Sequence, residues 1–202
     1  MAYAVLGPCG TFSEEAARRY WGAGVELTTV EDLDIIGRLL ADRQVQGALV
    51  PLHNTITGWV NSTLKLFKTQ RLAIQGQIDM PVAQHLMACN PYDLQDLEVI
   101  ISHPLALEQC RDFIASRLNG VKLEHLSSTA GAAQVLRSEP RRAASIGSVQ
   151  AARLYGLKII QHNINRPGNI TCFVHIESLR KAPFSNRNQA RPSAFRPCRD
   201  RR

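Results

Sequence analysis

The chain has 202 residues, of which 45% are hydrophobic, and a formal net charge of +7 at pH 7. This size and composition are typical of a soluble globular protein with one large domain or two small lobes. No apolar run approaches the roughly 20 residues that cross a bilayer, and the amino terminus lacks the features of a secretory signal. We therefore expect a cytoplasmic protein with no membrane partner.

The positive charge is concentrated at one end of the chain. Eight of the 24 Lys and Arg residues and one of the 17 acidic residues lie from Arg180 to Arg202, so the rest of the chain is formally neutral. This distribution argues against a nucleic-acid partner. The tail, residues 180–202, has three prolines and no hydrophobic periodicity. We expect it to be disordered. The alternative is a basic arm that binds RNA, DNA or acidic lipid.

The five cysteines are widely scattered and show no C-x-x-C spacing. Cysteine and histidine also lack the spacing of zinc ligands. The sequence therefore predicts neither a disulfide framework nor a metal site, and we expect the thiols to be reduced.

The first third of the chain alternates strands and helices. A short apolar strand, "AYAVLG", ends at Gly7-Pro8, and the helix "TFSEEAARRYWG" follows with Thr11 or Ser13 as its cap. Next comes the amphipathic helix "VEDLDIIGRLLADRQ". The buried strand "GALVPLHNT" breaks at Pro51 and leads to the helix "TGWVNSTLKLFKTQ".

The rest of the body continues the alternation in what we predict to be a second lobe. The chain enters it near Met80-Pro81, between two extended segments, and strands and helices then alternate up to "LKIIQHNI", which leads back. The pattern predicts an α/β protein with two lobes of mixed, mainly parallel sheet flanked by helices. We assign residues 1–79 and 158–179 to lobe 1 and residues 80–157 to lobe 2.

Small hydroxyl or amide side chains occupy three junctions between a strand and the following helix, at residues 11–13, 54–57 and 127–129. The amino terminus of a helix presents unpaired N–H groups and a partial positive charge, so such junctions suit a small acid. Plain helix capping is the alternative for each junction.

The last strand, "GNITCFVHIE" at residues 168–177, places Thr171 and Phe173 on one face and Cys172 on the other. A hydroxyl and a ring on one face at the start of a strand indicate either a pocket lining or ordinary β-propensity.

Taken together and in order, these segments resemble the prephenate dehydratase family. The resemblance runs from about Ala4 to Ile176 and rests on "GPCGTFSEEAA", "GALVPLHNTITGWV", "ISHPLALEQC", "SSTAGAA", "AASIGSVQAARLYGL" and "NITCFVHI". A single motif of this kind is weak, whereas the ordered set is specific.

The resemblance implies a fold like that of the type 2 periplasmic binding proteins, with prephenate held in the cleft between the lobes. It implies a lyase of phenylalanine biosynthesis that converts prephenate to phenylpyruvate without a metal or organic cofactor. Homodimers or homotetramers are expected on the same ground. The chain ends before the ACT regulatory domain of many relatives, so we expect no inhibition by phenylalanine through that domain.

The resemblance also implies site residues. Catalytic roles fall to Thr171, with its hydroxyl beside the departing ring hydroxyl, and to His53 and Asn54 on the cleft loop. Substrate-binding roles fall to Thr11, Phe12, Ser13, Thr55, Ser102, Ser128, Thr129, Ala130 and Phe173.

Two departures from the family pattern leave other functions open. His53 stands where the family usually has glutamate, and Cys172 stands where it has arginine, while Thr55 in place of serine keeps the hydroxyl. His53 could hold a carboxylate, supply a proton or be structural. The alternatives are a prephenate decarboxylase that does not aromatise its product and a non-catalytic protein that binds a small acid. The sequence does not separate prephenate from its amino analogue arogenate.

Overall fold

The computed structural model describes residues 2–138, 142–179 and 196–197. The first sheet has the strand order β12-β2-β1-β3-β11-β5, with β4 beside β3. Its strands are β1 (Tyr3–Leu6), β2 (Leu27–Val30), β3 (Ala48–Asn54), β4 (Gly58–Trp59), β5 (Leu72–Pro81), β11 (Ile170–Ser178) and β12 (Arg196–Pro197). The centre, β2-β1-β3, is parallel, whereas β11 runs antiparallel to both β3 and β5.

The second sheet has the order β10-β6-β9-β7-β8. Its strands are β6 (His85–Ala88), β7 (Val99–Ser102), β8 (Lys122–His125), β9 (Ala143–Gly147) and β10 (Lys158–Gln161). Strands β9, β7 and β8 are parallel, and β6 is antiparallel to both β9 and β10. Both sheets thus contain more antiparallel strands than the alternation of strands and helices indicates. In each sheet, antiparallel strands next to the crossovers pair with the parallel strands of the centre.

Two crossovers join the sheets. The first runs from β5 to β6 and the second from β10 to β11. They lie side by side, since the Val82 N–H donates to the Asn169 carbonyl at 2.8 Å and the Ile164 N–H donates to the Gln84 carbonyl at 2.9 Å. The structure differs from the sequence prediction at residues 158–161, which form β10 in the second sheet and not in the first.

Helices cover both faces of each sheet. They are α1 (Phe12–Trp21), α2 (Leu33–Ala41), α3 (Asn61–Thr69), α4 (Pro104–Gln109), α5 (Arg111–Arg117), α6 (Thr129–Ser138) and α7 (Val149–Tyr155). Along β11 the side chains alternate between two cores. Phe173 packs with Ala16 and Ala17 of α1, whereas Val174 and Ile176 pack in the cluster that contains α2. Burial of these alternating apolar residues fixes which face of β11 is turned toward α1.

The two lobes also touch between α7 and the loop before α1. Ser148 Oγ donates to the Gly10 carbonyl at 2.8 Å, and the Tyr155 hydroxyl donates to the Cys9 carbonyl at 3.0 Å. Gly10 has a φ of 90°, and a Cβ atom there would lie 3.1 Å from the Ala151 Cα atom. A glycine is therefore required at this contact, both for its backbone conformation and for the close approach of α7.

The structure bears on three predictions made from composition. Cys9 takes part in a disulfide bond, so the prediction of reduced thiols is wrong at Cys9, whereas Cys89, Cys110 and Cys172 are free. The predicted disorder of the tail concerns residues 180–202, of which only 196–197 are described, as a short strand against β2. Within the described ranges, no helix is long and apolar enough to cross a membrane, and no group of three or more His, Cys, Asp or Glu side chains could hold a metal ion.

Candidate active site

A cleft of about 240 Å³ lies between the two lobes. The first lobe lines it with the ends of β1 and β2, the middle of β3, the start of α1 and the start of β11. These residues are Leu6, Gly7, Thr11, Phe12, Ser13, Glu31, Pro51, Thr171 and Phe173. The second lobe and the first crossover contribute Val82, Gln84, His103, Leu105, Ala106, Gln109, Ser127, Ser128 and Thr129.

The first turn of α1 forms one end of the cleft. Thr11 caps the helix, since its Oγ1 accepts from the Glu14 N–H at 3.3 Å and donates to the Leu6 carbonyl at 2.8 Å. Glu14 reaches back beyond the cap and accepts from the Gly10 N–H at 2.7 Å, which resembles a capping box displaced by one residue. The Thr11 hydroxyl is thus already engaged, and the groups left for a ligand are the N–H groups of the first turn.

The first turn of α6 forms the opposite side. Ser128 Oγ accepts from the Gly131 N–H at 2.9 Å, which identifies it as a helix cap. Ser127, Ser128 and Thr129 all line the cleft. Two helix amino termini, one from each lobe, therefore border the same space, as the sequence indicates for two of the three junctions.

Asn54 and Thr171 form a buried hydrogen-bonded pair at the cleft. Asn54 Nδ2 donates to Thr171 Oγ1 at 2.8 Å and to Asn169 Oδ1 at 2.7 Å. Asn54 Oδ1 accepts from the Ile56 and Thr57 N–H groups at 2.9 and 3.0 Å, so the amide orientation is determined by its surroundings. Because Thr171 accepts from Asn54 and has no acceptor for its own hydrogen among the described residues, that hydrogen is available to a ligand.

His53 lies on the other face of the same strand pair. It is opposite Cys172 in register, and its ring contacts Trp59 edge-on at a centroid distance of 4.9 Å. It is not among the residues that line the cleft. Thr55 is also outside the lining, and its hydroxyl donates to the Gly168 carbonyl at 2.6 Å.

The two departures from the family pattern are therefore one cross-strand pair. Cys172 lies between His53 on β3 and Asp79 on β5. Burial raises the pKa of the Cys172 thiol to about 11, and the Asp79 carboxylate acts in the same direction. A glutamate and an arginine at positions 53 and 172 would form an ion pair on this face, and a neutral thiol beside a histidine replaces it.

Ser102 and Ala130, two further predicted binding residues, lie behind the lining. Ser102 is fully buried and its Oγ donates to the Ile146 carbonyl at 2.8 Å. Ala130 is fully buried in the core under α6. It follows Thr129, which lines the cleft, in the first turn of that helix.

The set of site residues predicted from the sequence lacks five polar residues of the lining: Glu31, Gln84, His103, Gln109 and Ser127. Gln84 Nε2 donates to Gln109 Oε1 at 3.1 Å, and both side chains are buried. The signal for Gln109 was present in "ISHPLALEQC", where a glutamine follows the strand-to-helix turn. No pattern marks Gln84, which lies in the irregular first crossover.

His103 caps α4 at the edge of the cleft. Its Nδ1 accepts from the Leu105 N–H at 3.1 Å, so Nε2 carries the hydrogen of the neutral ring. Burial lowers the pKa of His103, which favours this neutral form at pH 7. His103 is thus not a fixed positive charge at the cleft.

The two lobes, the paired crossovers and a cleft bordered by helix amino termini define a two-lobed ligand-binding fold of the type 2 periplasmic binding protein kind. A solved structure of the methionine-binding protein MetQ aligns with a TM-score of 0.50 at 11% identity, covering 89% of this chain and 83% of that chain. That likeness supports the fold alone, and the predicted fold class is confirmed.

Residues 3–181 match the model of the family described as prephenate dehydratase, and the chain belongs to this family. A bifunctional chorismate mutase/prephenate dehydratase of Aquifex aeolicus (strain VF5) is 33% identical over 174 residues, which are 86% of this chain and 48% of that protein. The chain spans about half the length of the curated relatives it matches.

Similar solved structures include a member of the same family and a protein described with another activity. Prephenate dehydratase from Arthrobacter aurescens in complex with L-Phe aligns with a TM-score of 0.81 at 27% identity, covering 92% of this chain and 63% of that chain. A structure described as GqqA, a novel type of quorum quenching acylases, aligns with a TM-score of 0.76 at 26% identity, covering 92% and 67%. The same fold thus hosts more than one chemistry, so the activity of a chain depends on the residues of its site.

Proposed function

We propose that this chain catalyses the decarboxylating dehydration of prephenate to phenylpyruvate, a precursor of phenylalanine. The observation that carries the proposal is the hydrogen bond of 2.8 Å from Asn54 Nδ2 to Thr171 Oγ1. It makes the hydroxyl an acceptor toward Asn54 and a donor toward the cleft, as is needed beside a departing ring hydroxyl.

The substrate carboxylates are received by the helix amino termini. The N–H groups of Phe12 and Ser13 in α1, and those of Thr129 and Ala130 in α6, belong to first turns that have no intrahelical carbonyl to bond. Such groups bind anions without a cationic side chain. The side chain of Phe173, which also lines the cleft, offers an apolar surface for the ring.

The chemistry then needs little from the protein beyond orientation. As the ring carboxylate leaves as carbon dioxide, its electron pair moves into the ring and the carbon–oxygen bond of the hydroxyl breaks, so the ring becomes aromatic. Thr171 donates a hydrogen bond to the departing oxygen, and one proton taken up from solvent completes the water molecule.

His53 takes no part in this proposal. Its place against Trp59, outside the cleft lining, supports dehydration over the non-aromatising decarboxylation, because the altered residues do not border the substrate. The prediction that His53 binds or protonates the substrate stays a prediction.

We also propose a homodimer or homotetramer. The outer edge of the ten-residue strand β5 has no neighbouring strand among the described residues, and Ile74 on it is 54% exposed. Such an edge is suited to pairing with a second copy. Light scattering of the purified chain tests this proposal.

The experiment for the activity is to incubate the purified chain with prephenate at neutral pH and to identify products by mass and ultraviolet spectrum. We expect phenylpyruvate, and we expect Thr171→Ala to abolish most of it. Thr69→Ala is the matched control, because it removes an exposed hydroxyl on α3 that donates only to helix carbonyls. Carbon dioxide with a non-aromatic product, or binding without turnover, would contradict the proposal.

A further inference from the structure

Asn169 is a buried residue beside the Asn54–Thr171 pair, and the proposed mechanism gives it no role. It lies at the end of the second crossover, directly before β11, and its exposed fraction is 4%. Its Oδ1 accepts from Asn54 Nδ2 at 2.7 Å, and its backbone carbonyl accepts from the Val82 N–H of the first crossover at 2.8 Å. Asn169 therefore joins the Asn54 amide to both crossovers.

The hydrogen bonds of the Asn54 side chain all run in one direction. Its Oδ1 accepts from two backbone N–H groups of the turn after β3, so the nitrogen Nδ2 faces the start of β11. An amide nitrogen has two hydrogens to donate. The two shortest bonds from Nδ2 go to Asn169 Oδ1 at 2.7 Å and to Thr171 Oγ1 at 2.8 Å, whereas the Ile170 carbonyl is 3.2 Å away. Asn169 thus accepts the hydrogen that Thr171 does not receive.

The nitrogen of the Asn169 side chain indicates a role beyond stability. Asn169 Nδ2 is buried and has no hydrogen-bond partner among the described residues. An unmatched buried donor lowers stability, because it loses its hydrogen bonds to water without replacement. Local departures from full pairing are expected mainly at functional sites. The oxygen of Asn169 is the side-chain atom that contacts the Asn54–Thr171 pair, so we assign the role to this oxygen.

We propose that Asn169 is a positioning residue, whose Oδ1 holds the Asn54 amide in the orientation that directs the Thr171 hydroxyl hydrogen into the cleft. This inference rests on the proposed function. Asn169 acts through Asn54, since it is not among the residues that line the cleft. Without Oδ1, one hydrogen of Asn54 would lose its acceptor, and the amide would shift toward the Ile170 carbonyl. A small displacement of a positioned group is enough to lower the rate of the chemical step.

The kinetic test compares Asn169→Ala with the wild-type chain, with prephenate as the substrate. We expect kcat to fall by about tenfold and KM to change by less than about twofold, because the proposed carboxylate sites at the helix amino termini are unaffected. Asn169→Asp keeps an oxygen acceptor for Asn54 and should retain kcat within about threefold. An equal loss of kcat in both variants would overturn the inference.

Asn165→Ala is the matched control, because Asn165 also joins the two crossovers. Its Nδ2 donates to the Val82 carbonyl at 3.1 Å, and its Oδ1 accepts from the Gln84 N–H at 2.7 Å. It makes no hydrogen bond to Asn54, so Asn165→Ala should leave kcat unchanged. If Asn165→Ala lowered kcat as much as Asn169→Ala, looser crossovers would explain the loss and the inference would fail.

A double-mutant cycle tests whether Asn169 acts through Asn54. We expect the double variant Asn54→Ala, Asn169→Ala to have the kcat of Asn54→Ala alone, because the amide that Asn169 holds is then already absent. Losses that multiply in the double variant would mean that Asn169 affects the site by another route, and this outcome would overturn the inference.

Hydrogen exchange separates the inference from the dehydratase proposal, since it needs no turnover. The side-chain N–H signals of Asn54 are assigned by nuclear magnetic resonance from their loss in Asn54→Ala. We expect these hydrogens to exchange slowly in the wild-type chain and in Asn165→Ala, and about tenfold faster or more in Asn169→Ala. Asn169→Leu, which fills the same space, replaces Asn169→Ala if that variant does not fold.

The two proposals then fail in different ways. If no phenylpyruvate forms but exchange is faster in Asn169→Ala, the dehydratase proposal fails and the positioning of Asn54 by Asn169 stands. Fast exchange in the wild-type chain, or unchanged exchange in Asn169→Ala, would overturn the inference and would not count against the dehydratase proposal.

Discussion

The two faces of the β3–β11 strand pair contrast sharply. On the face toward the cleft, Asn54 and Thr171 keep the residue types of the family and are joined by a hydrogen bond of 2.8 Å. On the opposite face, His53 and Cys172 depart from the family together, and they are opposite each other in register. Each altered residue is adjacent in sequence to a retained one. Residues of the cleft face and residues of the outer face therefore alternate along each strand, because successive side chains point to opposite faces.

The strongest test of this contrast is removal of the hydroxyl from the cleft face. Thr171→Val keeps the shape of the side chain and should lower kcat for dehydration by about a hundredfold or more, as for loss of a positioned proton donor. Thr171→Ser, which keeps the hydroxyl, should retain most of the activity. Steady-state formation of the aromatic product measures both. A loss of less than about threefold in Thr171→Val would remove Thr171 from the mechanism.

Removal of the partner on the same face should have a smaller kinetic effect and a visible effect on stability. Asn54→Ala leaves Thr171 and the Ile56 and Thr57 N–H groups without their amide partner. We expect kcat to fall by about tenfold and the free energy of unfolding to fall by about 1–3 kcal/mol. Urea unfolding and product formation are measured on the same samples. Full activity at reduced stability would limit Asn54 to a structural role.

On the outer face, restoring the family pair should change stability and hardly change activity. A double-mutant cycle of His53→Glu and Cys172→Arg should show a favourable coupling of about 0.2–1 kcal/mol, the range for cross-strand ion pairs. We expect kcat to change by less than about threefold in each variant, since neither residue lines the cleft. A gain of tenfold or more in kcat for His53→Glu would instead connect the outer face to the chemistry.

The smallest expected effect is a pH dependence from the Cys172 thiol. The pKa of this thiol is raised from 9.0 to about 11, first by burial and then by Asp79. The folded state keeps the proton that the unfolded state has lost, so the thiol's contribution to stability is present below pH 9 and is lost as the pH rises toward 11. Thermal unfolding across this window should show a shallower decline in Cys172→Ala than in the wild-type chain. Equal slopes would mean that the thiol titrates alike in both states.

Much of this site could be predicted from local pattern. Alternation along "NITCFVHI" places Thr171 and Phe173 on one face, and the hydroxyl residues before α1 and α6 predict helix amino termini at a shared cleft. Both inferences need only the geometry of one strand or one helix end.

The parts that could not be predicted depend on contacts between distant segments. Gln84 lies in an irregular crossover, where no periodicity indicates burial, and its hydrogen bonds are made with Gln109 and Asn165. Residues 158–161 read as a return to the first lobe, but β10 gains its hydrogen bonds from β6. The pairing of His53 with Cys172 follows from a register that includes a bulge, which a single strand does not reveal.

The contact between Gly10 and α7 joins the two lobes at a point outside the cleft lining. Gly10 carries only hydrogen where any other residue would carry a Cβ atom 3.1 Å from the Ala151 Cα atom. Ser148 and Tyr155 fasten the same loop to the second lobe through the carbonyls of Gly10 and Cys9. The close approach of the two lobes at this contact therefore depends on the missing Cβ atom of Gly10, a residue that does not line the cleft.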